Sequence, residues 1–319
     1  MPSSSARAVL PAAASALTAR VLREAPRGAP REALVVGAHR LGLYLSVDGT
    51  VLPVVPSDAL ALPTALRLGA RSSALPGAAS EAPPWGVEPG DRVAVGGGRV
   101  VLPGAEVVAV RTWRPARVRR VAPGAACPGD RALVESLLAD ATTSCDPWLA
   151  PAIRVVCSGG RPDGHLSTRP GEDVEEGVAG GLAGGLAGAV AALVGRGRGL
   201  TPSGDDALAG ALLVAHALRA RRPFADAVRA RLGSTTAVSG ALLAAAADGF
   251  AARPVVALVD AAVVGHVEAT ARALPEVVAI GHTSGRDLLT GALAALRAHT
   301  IPASLVETPT QTPTGRSAA

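Results

Sequence analysis

Two patterns of apolar residues divide this chain and limit the folds open to it. From about residue 33 to 121, short apolar runs alternate with turn pairs such as Asp48-Gly49 and Pro103-Gly104, which is typical of β-strands. From about residue 129 onward, apolar residues recur with a helical period between loops rich in Gly, Pro and Ser. Together the patterns predict an α+β protein, in which an N-terminal β-rich module is followed by a mainly α-helical C-terminal domain.

The same patterns set the predicted domain limits. Residues 1–30 are expected to form an N-terminal extension with a helix near 8–24, residues 31–125 the β-rich module, and residues 126–300 the helical domain that carries the site. Residues 301–319, rich in Pro, Thr and Ser, are expected to form a disordered tail. Helices are predicted at 129–142, 173–195, 204–220, 223–232, 235–249, 255–273 and 285–299, with an irregular polar loop at 143–172.

Composition narrows the classes of function. The chain is 49% hydrophobic and 18% charged, which excludes wholesale disorder, and only 2% aromatic, so its core must use Ala, Val and Leu. Three cysteines without metal or disulfide spacing favour a reducing cytoplasm. The uncharged run from Gly177 to Gly195 is too rich in glycine to indicate a membrane span. We therefore expect a cytoplasmic protein that does not bind membranes.

A group of arginines closes the β-rich segment around Trp113. It comprises Arg111, Arg114, Arg117, Arg119 and Arg120. Such a patch could face nucleic acid, or it could be a set of solvent-facing residues on edge strands. The segment has no interleaved aromatic residues beyond Trp113 to stack on bases, and the net charge of +5 is modest for this length. We therefore predict no nucleic-acid partner.

The most informative string runs from Gly195 to Leu218. A glycine-rich loop ends in the hydroxyl residues Thr201 and Ser203 and leads directly into an Ala/Leu helix. A helix start leaves free N–H groups with partial positive charge, and glycines let a ligand approach them, so the string fits an anion site. It also fits an ordinary capping box, the more common case for such a string alone, with Ser203 as the N-cap and Asp206 completing the box.

The start of this helix is repeated 81 positions further on, from Ser203 to Ser284. The strings Ser-Gly-Asp-Asp and Ser-Gly-Arg-Asp open two helices, and each has a glycine four residues after its final Asp, at Gly210 and Gly291. Those glycines would permit a close helix crossing that brings the two starts together. Ser-Gly-x-Asp is a common sequence at the start of a helix, and this would explain the repeat without any common site. A third hydroxyl-rich start, at 234–239, includes Thr235 and Thr236.

The charges near these helix starts restrict the ligand. Asp205, Asp206 and Asp287 would repel a bare phosphate unless they face a cation or accept hydrogen bonds from an NH₂ group. A substrate with an anionic end and an amide end would satisfy both the helix starts and the carboxylates. His282, just before the second start, could donate to a developing oxyanion or shuttle a proton, although a lone His is more often structural.

Three blocks resemble the AllH-type subunit family of oxamate carbamoyltransferase. They are Gly199 to Asp206 with its helix, Ser234 to Phe250, and Ala279 to Asp287 with its helix. The resemblance implies a subunit of a multi-protein enzyme of anaerobic allantoin and purine catabolism. That enzyme exchanges a carbamoyl group between oxamate and phosphate, so that oxalurate and phosphate give oxamate and carbamoyl phosphate. It also implies partner subunits and a small anionic substrate.

The physical pattern of the same blocks assigns hypothetical roles. Substrate-binding residues would be Gly199, Thr201, Ser203, Gly204, Asp205, Thr235, Thr236, Thr283, Ser284 and Gly285. Asp206 and Asp287 would accept from the amide or hold a divalent cation, the one cofactor left open, while His282 or Arg286 would stabilise the carbonyl oxygen. The alternative is a noncatalytic subunit that binds a small anion or serves as a scaffold while a partner holds the active site.

Overall fold

The computed structural model describes residues 7–24, 30–80, 82–122, 128–159, 185–220 and 222–299. The tail predicted at 301–319 lies outside the described residues, and so does the predicted domain limit at 125/126. Two separate hydrophobic clusters are present, one inside the N-terminal strands and one among the helices. The larger cluster is built mainly from Ala, Val and Leu, as an almost aromatic-free composition requires.

The N-terminal part is a closed β-barrel with the strand order β1-β5-β4-β3-β2-β6-β7-β8. Its strands are β1 (Ala8–Ser15), β2 (Arg31–His39), β3 (Gly42–Val47), β4 (Thr50–Val55), β5 (Leu66–Leu68), β6 (Arg92–Gly96), β7 (Arg99–Val101) and β8 (Ala105–Trp113). Neighbouring strands pair antiparallel except β1 with β8 and β4 with β5, which run parallel. Alternate side chains of β2, such as Ala33 and Val35, point into the barrel and are buried.

The predicted fold class was wrong at the N-terminus. A helix was expected at 8–24, preceding a β-rich module, but residues 8–15 form β1, and only Ala19–Arg23 are helical (α1). The Ala-rich run suggested a helix because alanine has a high helix propensity. Pairing overrides that propensity, since β1 lies between β5 and β8 and completes their hydrogen bonding. The β-rich module is therefore a closed barrel that begins at Ala8.

Helices make up most of the described C-terminal part. They are α2 (Pro128–Ala141), α3 (Leu149–Cys157), α4 (Gly185–Leu193), α5 (Ser203–Ala217), α6 (Arg222–Arg229), α7 (Ala237–Ala247), α8 (Arg253–Ala262), α9 (Val267–Val278) and α10 (Ser284–Ala298). Helix α5 is buried on nearly every side and packs most extensively on α10. None of the described helices is long and apolar enough to cross a membrane.

Two helix predictions need correction. Helix α3 lies inside 143–172, where an irregular loop was expected, and it buries Leu149, Ile153 and Val156. The helix predicted over 255–273 is two helices, because Gly265 adopts a φ of 75° between α8 and α9. Of the helix predicted at 173–195, residues 173–184 lie outside the described residues.

The segment after β8 ties the barrel to the helical domain. Val118 N–H donates to the Gly249 carbonyl oxygen (2.9 Å), and Val121 N–H donates to the Ala217 carbonyl oxygen (2.9 Å). Arg119 donates from its backbone (2.7 Å) and from its guanidinium (3.0 Å) to the carboxylate of Asp260. This segment therefore lies across the end of α5.

Candidate functional site

Helices α5 and α10 cross at two glycines in a reciprocal contact. A Cβ atom built on Gly210 would lie 1.9 Å from the Leu288 carbonyl oxygen, and one on Gly291 would lie 1.8 Å from the Ala207 carbonyl oxygen. Leu288 and Ala207 are separated by the same 81 positions as the two glycines, so the contacts are related by a local pseudo-two-fold axis. The crossing brings the starts of both helices together, since each glycine is within the first two turns.

Each helix start is itself packed against the end of the helix before it. A Cβ on Gly204 would lie 2.1 Å from the Leu193 carbonyl oxygen, and one on Gly285 would lie 1.9 Å from the Val277 carbonyl oxygen. The repeated unit is thus a pair of helices with its loop, α4 with α5 and α9 with α10.

Several of the amides expected to bind an anion are already bonded within the chain. Gly204 N–H donates to the Arg196 carbonyl oxygen (2.9 Å) and Gly285 N–H to that of Ile280 (3.0 Å). The amides of Asp205 and Asp206 both donate to the carbonyl oxygen of Pro202. These four N–H groups stabilise the helix starts themselves and already have acceptors within the chain.

Asp205 holds three parts of the helical domain together. Its carboxylate accepts hydrogen bonds from the Gly195 N–H (2.9 Å), from the Ser239 hydroxyl (2.7 Å) and from the Thr235 hydroxyl. Thr236 caps α7, accepting from Ser239 N–H (3.0 Å), and its hydroxyl donates to the Leu200 carbonyl oxygen. The hydroxyl-rich start at 234–239 therefore packs on the glycine-rich loop through Asp205, and the side chains of Thr235 and Thr236 are engaged there.

Asp206 differs from its neighbour. Its carboxyl is buried, its Oδ2 has no hydrogen-bond partner, and it lies at the wall of a cavity beside the hydroxyls of Thr201 and Ser284, which are 3.0 Å apart. Burial raises the pKa of Asp206 to about 8; the Ser284 hydroxyl opposes the rise, and Asp287 adds to it by charge repulsion. At neutral pH this carboxyl is therefore mostly protonated and can both donate and accept.

Asp287, the counterpart of Asp206, is also buried with an Oδ2 that has no hydrogen-bond partner. It lies close to Cys145, whose thiol accepts from the Thr290 hydroxyl (3.3 Å). Burial is the main reason that the pKa of Cys145 is raised, and the Asp287 carboxyl contributes. The two related carboxyls thus occupy different surroundings, with Asp206 on the cavity and Asp287 directed toward Cys145.

The cavity lies between the barrel and the helical domain and has a volume of about 380 Å³. Its barrel side includes His39 and Tyr44, and its helical side includes Thr201, Asp206 and Ser284. Most of the remaining wall is aliphatic, and no arginine lines it among the described residues. The cavity therefore offers a protonated carboxyl, three hydroxyls and one imidazole in largely aliphatic surroundings.

The other candidate residues lie away from this cavity. Gly199, His282 and Thr283 are exposed, and Ser203 and Arg286 are half-buried; none of the five lines the cavity. Within the described part of the chain, no three His, Cys, Asp or Glu side chains gather as a metal ion would require. The cation hypothesis for Asp206 and Asp287 thus stays a prediction.

Sequence reasoning missed the barrel's share of the site. Tyr44 on β3 and His39 on β2 line the cavity, and burial raises the pKa of the Tyr44 hydroxyl. Cys145, close to Asp287, was also missed. The one available signal was that Tyr44 is the only tyrosine of the chain.

The fold and the site define a helical domain in which the starts of two helices lie together. They place a buried carboxyl at the wall of a cavity between the helices and a β-barrel. Residues 193–296 match the family model described as oxamate carbamoyltransferase subunit AllH, and this confirms the resemblance drawn from the sequence motifs. The match covers about a third of the chain and contains all three blocks of that resemblance. The matched part is therefore similar to a subunit of a transferase. No solved structure is a significant match to the chain.

Proposed function

We propose that this chain is a carbamoyltransferase subunit that exchanges a carbamoyl group between oxamate and phosphate. In this reaction oxalurate and phosphate give oxamate and carbamoyl phosphate. The observation that carries the proposal is that the family match at 193–296 includes the residues of the polar end of the cavity, Thr201, Asp206 and Ser284. The reaction would serve the use of allantoin and other purine nitrogen, in cooperation with partner subunits.

The polar end of the cavity suits the amide end of oxamate or oxalurate. The protonated Asp206 carboxyl can donate to a carbonyl or carboxylate oxygen, while its second oxygen accepts from an NH₂ group. Its Oδ2 is buried without a hydrogen-bond partner, and a ligand N–H would satisfy it. The Thr201 and Ser284 hydroxyls would fix the ligand's orientation from the side.

Phosphate needs a positive charge that the described cavity wall does not supply. His39 is the one basic side chain among its lining residues. A phosphate dianion beside a buried carboxyl is strongly disfavoured without a counter-charge. We therefore propose that a partner subunit or a divalent cation contributes this charge, which makes activity dependent on assembly. His282 and Arg286 lie outside the cavity lining and have no part in this arrangement.

The apolar lining also favours a second candidate function. A cavity with aliphatic walls and one neutral carboxyl would hold an uncharged or weakly charged ligand without reaction. The chain would then be a noncatalytic binding or scaffolding subunit, and its partner would hold the active site.

The test is the exchange reaction with the chain purified alone and with its partner subunits. We expect oxalurate to form from oxamate and carbamoyl phosphate only in the assembled enzyme. Asp206→Asn should lower that rate by about 100-fold or more, because an amide cannot give up or take up a proton as the carboxyl does. Glu276→Gln, which alters an exposed carboxylate of α9, should leave the rate unchanged. Full activity of Asp206→Asn would support the noncatalytic alternative, and an inactive wild-type assembly would contradict the carbamoyltransferase proposal.

A further inference from the structure

A second cavity lies at the opposite end of α5 and has a volume of about 450 Å³. Its walls come from the C-terminal part of α5, from α6, from the end of α7 and from the segment that follows β8. We call it the arginine cleft, because its basic lining residues are Arg117, Arg120, Arg219, Arg229 and His216.

Carboxylates neutralise only part of this charge. Arg229 pairs with Asp248 (2.7 Å) and with Asp226 (3.5 Å), the two acidic residues of the lining. Arg120 and Arg219 have no ion pair with any residue that the structure describes. Two guanidinium groups of the cleft thus have no carboxylate partner in the part of the chain that the structure describes.

The backbone directs these arginines to the cleft. Arg119 and Arg120 are consecutive, and Arg119 is bound to Asp260 while Arg120 lines the cleft. Arg219 follows the end of α5 with a φ of 55°, a left-handed conformation that favours glycine at this position of a helix terminus. The end of α5 thus turns the chain so that the Arg219 side chain lines the cleft.

Two further contacts fix the walls of the cleft. Arg117 donates through Nε to the Asp248 carbonyl oxygen (2.8 Å) and stacks over the Phe250 ring at 5.0 Å. The His216 ring packs on Gly249, where an added Cβ would lie 2.7 Å from the ring. Burial lowers the pKa of His216, and the nearby Arg120 and Arg117 lower it further. A planar guanidinium held in this way is ready to bind a phosphate group through two N–H donors.

We propose that the arginine cleft binds a small anion that carries phosphate groups, with Arg120 and Arg219 as its main ligands. Arg117 supplies a third guanidinium, already oriented by Phe250 and the Asp248 carbonyl oxygen. The cleft is separate from the cavity at Asp206, since the two share no lining residue. The proposal therefore does not depend on the carbamoyltransferase function.

Titration calorimetry of the whole chain with pyrophosphate, at constant ionic strength, tests the proposal. The double variant Arg120→Gln/Arg219→Gln should weaken binding at least about tenfold, because two charge-assisted contacts are lost. The matched control Arg253→Gln/Arg272→Gln removes the same charge from exposed positions outside the cleft and should change the affinity by less than about twofold. Asp206→Asn should bind pyrophosphate as the wild type does, whatever its effect on carbamoyl transfer.

Three results would overturn the proposal. The first is a wild-type chain that binds neither pyrophosphate nor inorganic phosphate. The second is equal weakening in the two double variants, which would indicate a general effect of net charge. The third is binding of an acidic peptide or duplex DNA without binding of pyrophosphate, which would make the cleft a macromolecular surface.

Comparison of pyrophosphate with inorganic phosphate distinguishes a site for linked phosphates from a site for one phosphate. Melting temperatures of both variants, which should match the wild type, show that a lost affinity is not lost folding.

Discussion

The two ends of α5 present opposite chemistry from one helix. Its N-terminal end, at Asp206, faces an apolar cavity with a buried protonated carboxyl. Its C-terminal end, at His216, faces a cleft lined by several arginines. A helix dipole favours an ionised carboxylate at its start and a protonated histidine at its end, but burial outweighs it at both ends of α5, raising the pKa of Asp206 and lowering that of His216. A single buried helix can thus carry two sites with different ligands.

The largest effect is expected where α5 crosses α10. Alanine at Gly210 or Gly291 would place a Cβ within 2 Å of a backbone oxygen, and the two helices would have to separate. Each substitution should lower the free energy of unfolding by about 3 kcal/mol or more, although alanine normally stabilises a helix. Urea unfolding measures this loss. Gly233→Ala is the control, because its Cβ would meet nothing within 4 Å; an equal loss there would refute the close crossing.

The next effect, a difference in stability, should distinguish the two adjacent carboxyls at the start of α5. Asp205→Ala removes the acceptor of three hydrogen bonds and leaves a backbone N–H and two hydroxyls without it. We expect a loss of about 3 kcal/mol of stability, whereas Asp206→Asn should cost less than about 1 kcal/mol near neutral pH. Chemical unfolding of both variants tests the difference. Similar losses would mean that Asp206 also serves mainly to hold the fold.

The dependence of stability on pH should have opposite signs at the two ends. The folded pKa of Asp206, about 8, exceeds the ordinary 3.8, so its contribution to stability decreases as pH rises from about 4 to 8. The folded pKa of His216 is lowered from 6.5, so its contribution decreases as pH falls below that value. Unfolding curves between pH 5 and pH 9 for Asp206→Asn and His216→Gln, each compared with wild type, measure these slopes. Unchanged slopes in both variants would contradict the two environments.

The crossing of α5 and α10 could be predicted from the sequence because it depends on local spacing. Serine, aspartate and glycine repeat at the same intervals in both helices, and those intervals fix which residues share a face. The separate roles of Asp205 and Asp206 could not be predicted in the same way. Adjacent residues of a helix point in different directions, and only the position of α7 and the barrel decides what each one meets.

The parts that could not be predicted depend on contacts far apart in the chain. Strand β1 has the composition of a helix and becomes a strand because β5 and β8 pair with it. Tyr44 and His39 reach the cavity because the barrel packs against the helices. No local sequence pattern predicts this packing. The arginines around Trp113 were treated as one patch. In the structure, Arg119 binds Asp260 and Arg120 lines the arginine cleft.

The place of β1 in the barrel has a consequence for synthesis of the chain. Ala8 pairs with Ala105, so about a hundred residues must be synthesised after β1 before its parallel neighbour is available. Until then the edge of β1 that pairs with β8 can join any other exposed strand, including one from a second nascent chain. Tags or deletions near residue 8 should therefore reduce the yield of soluble protein before they disturb either ligand site.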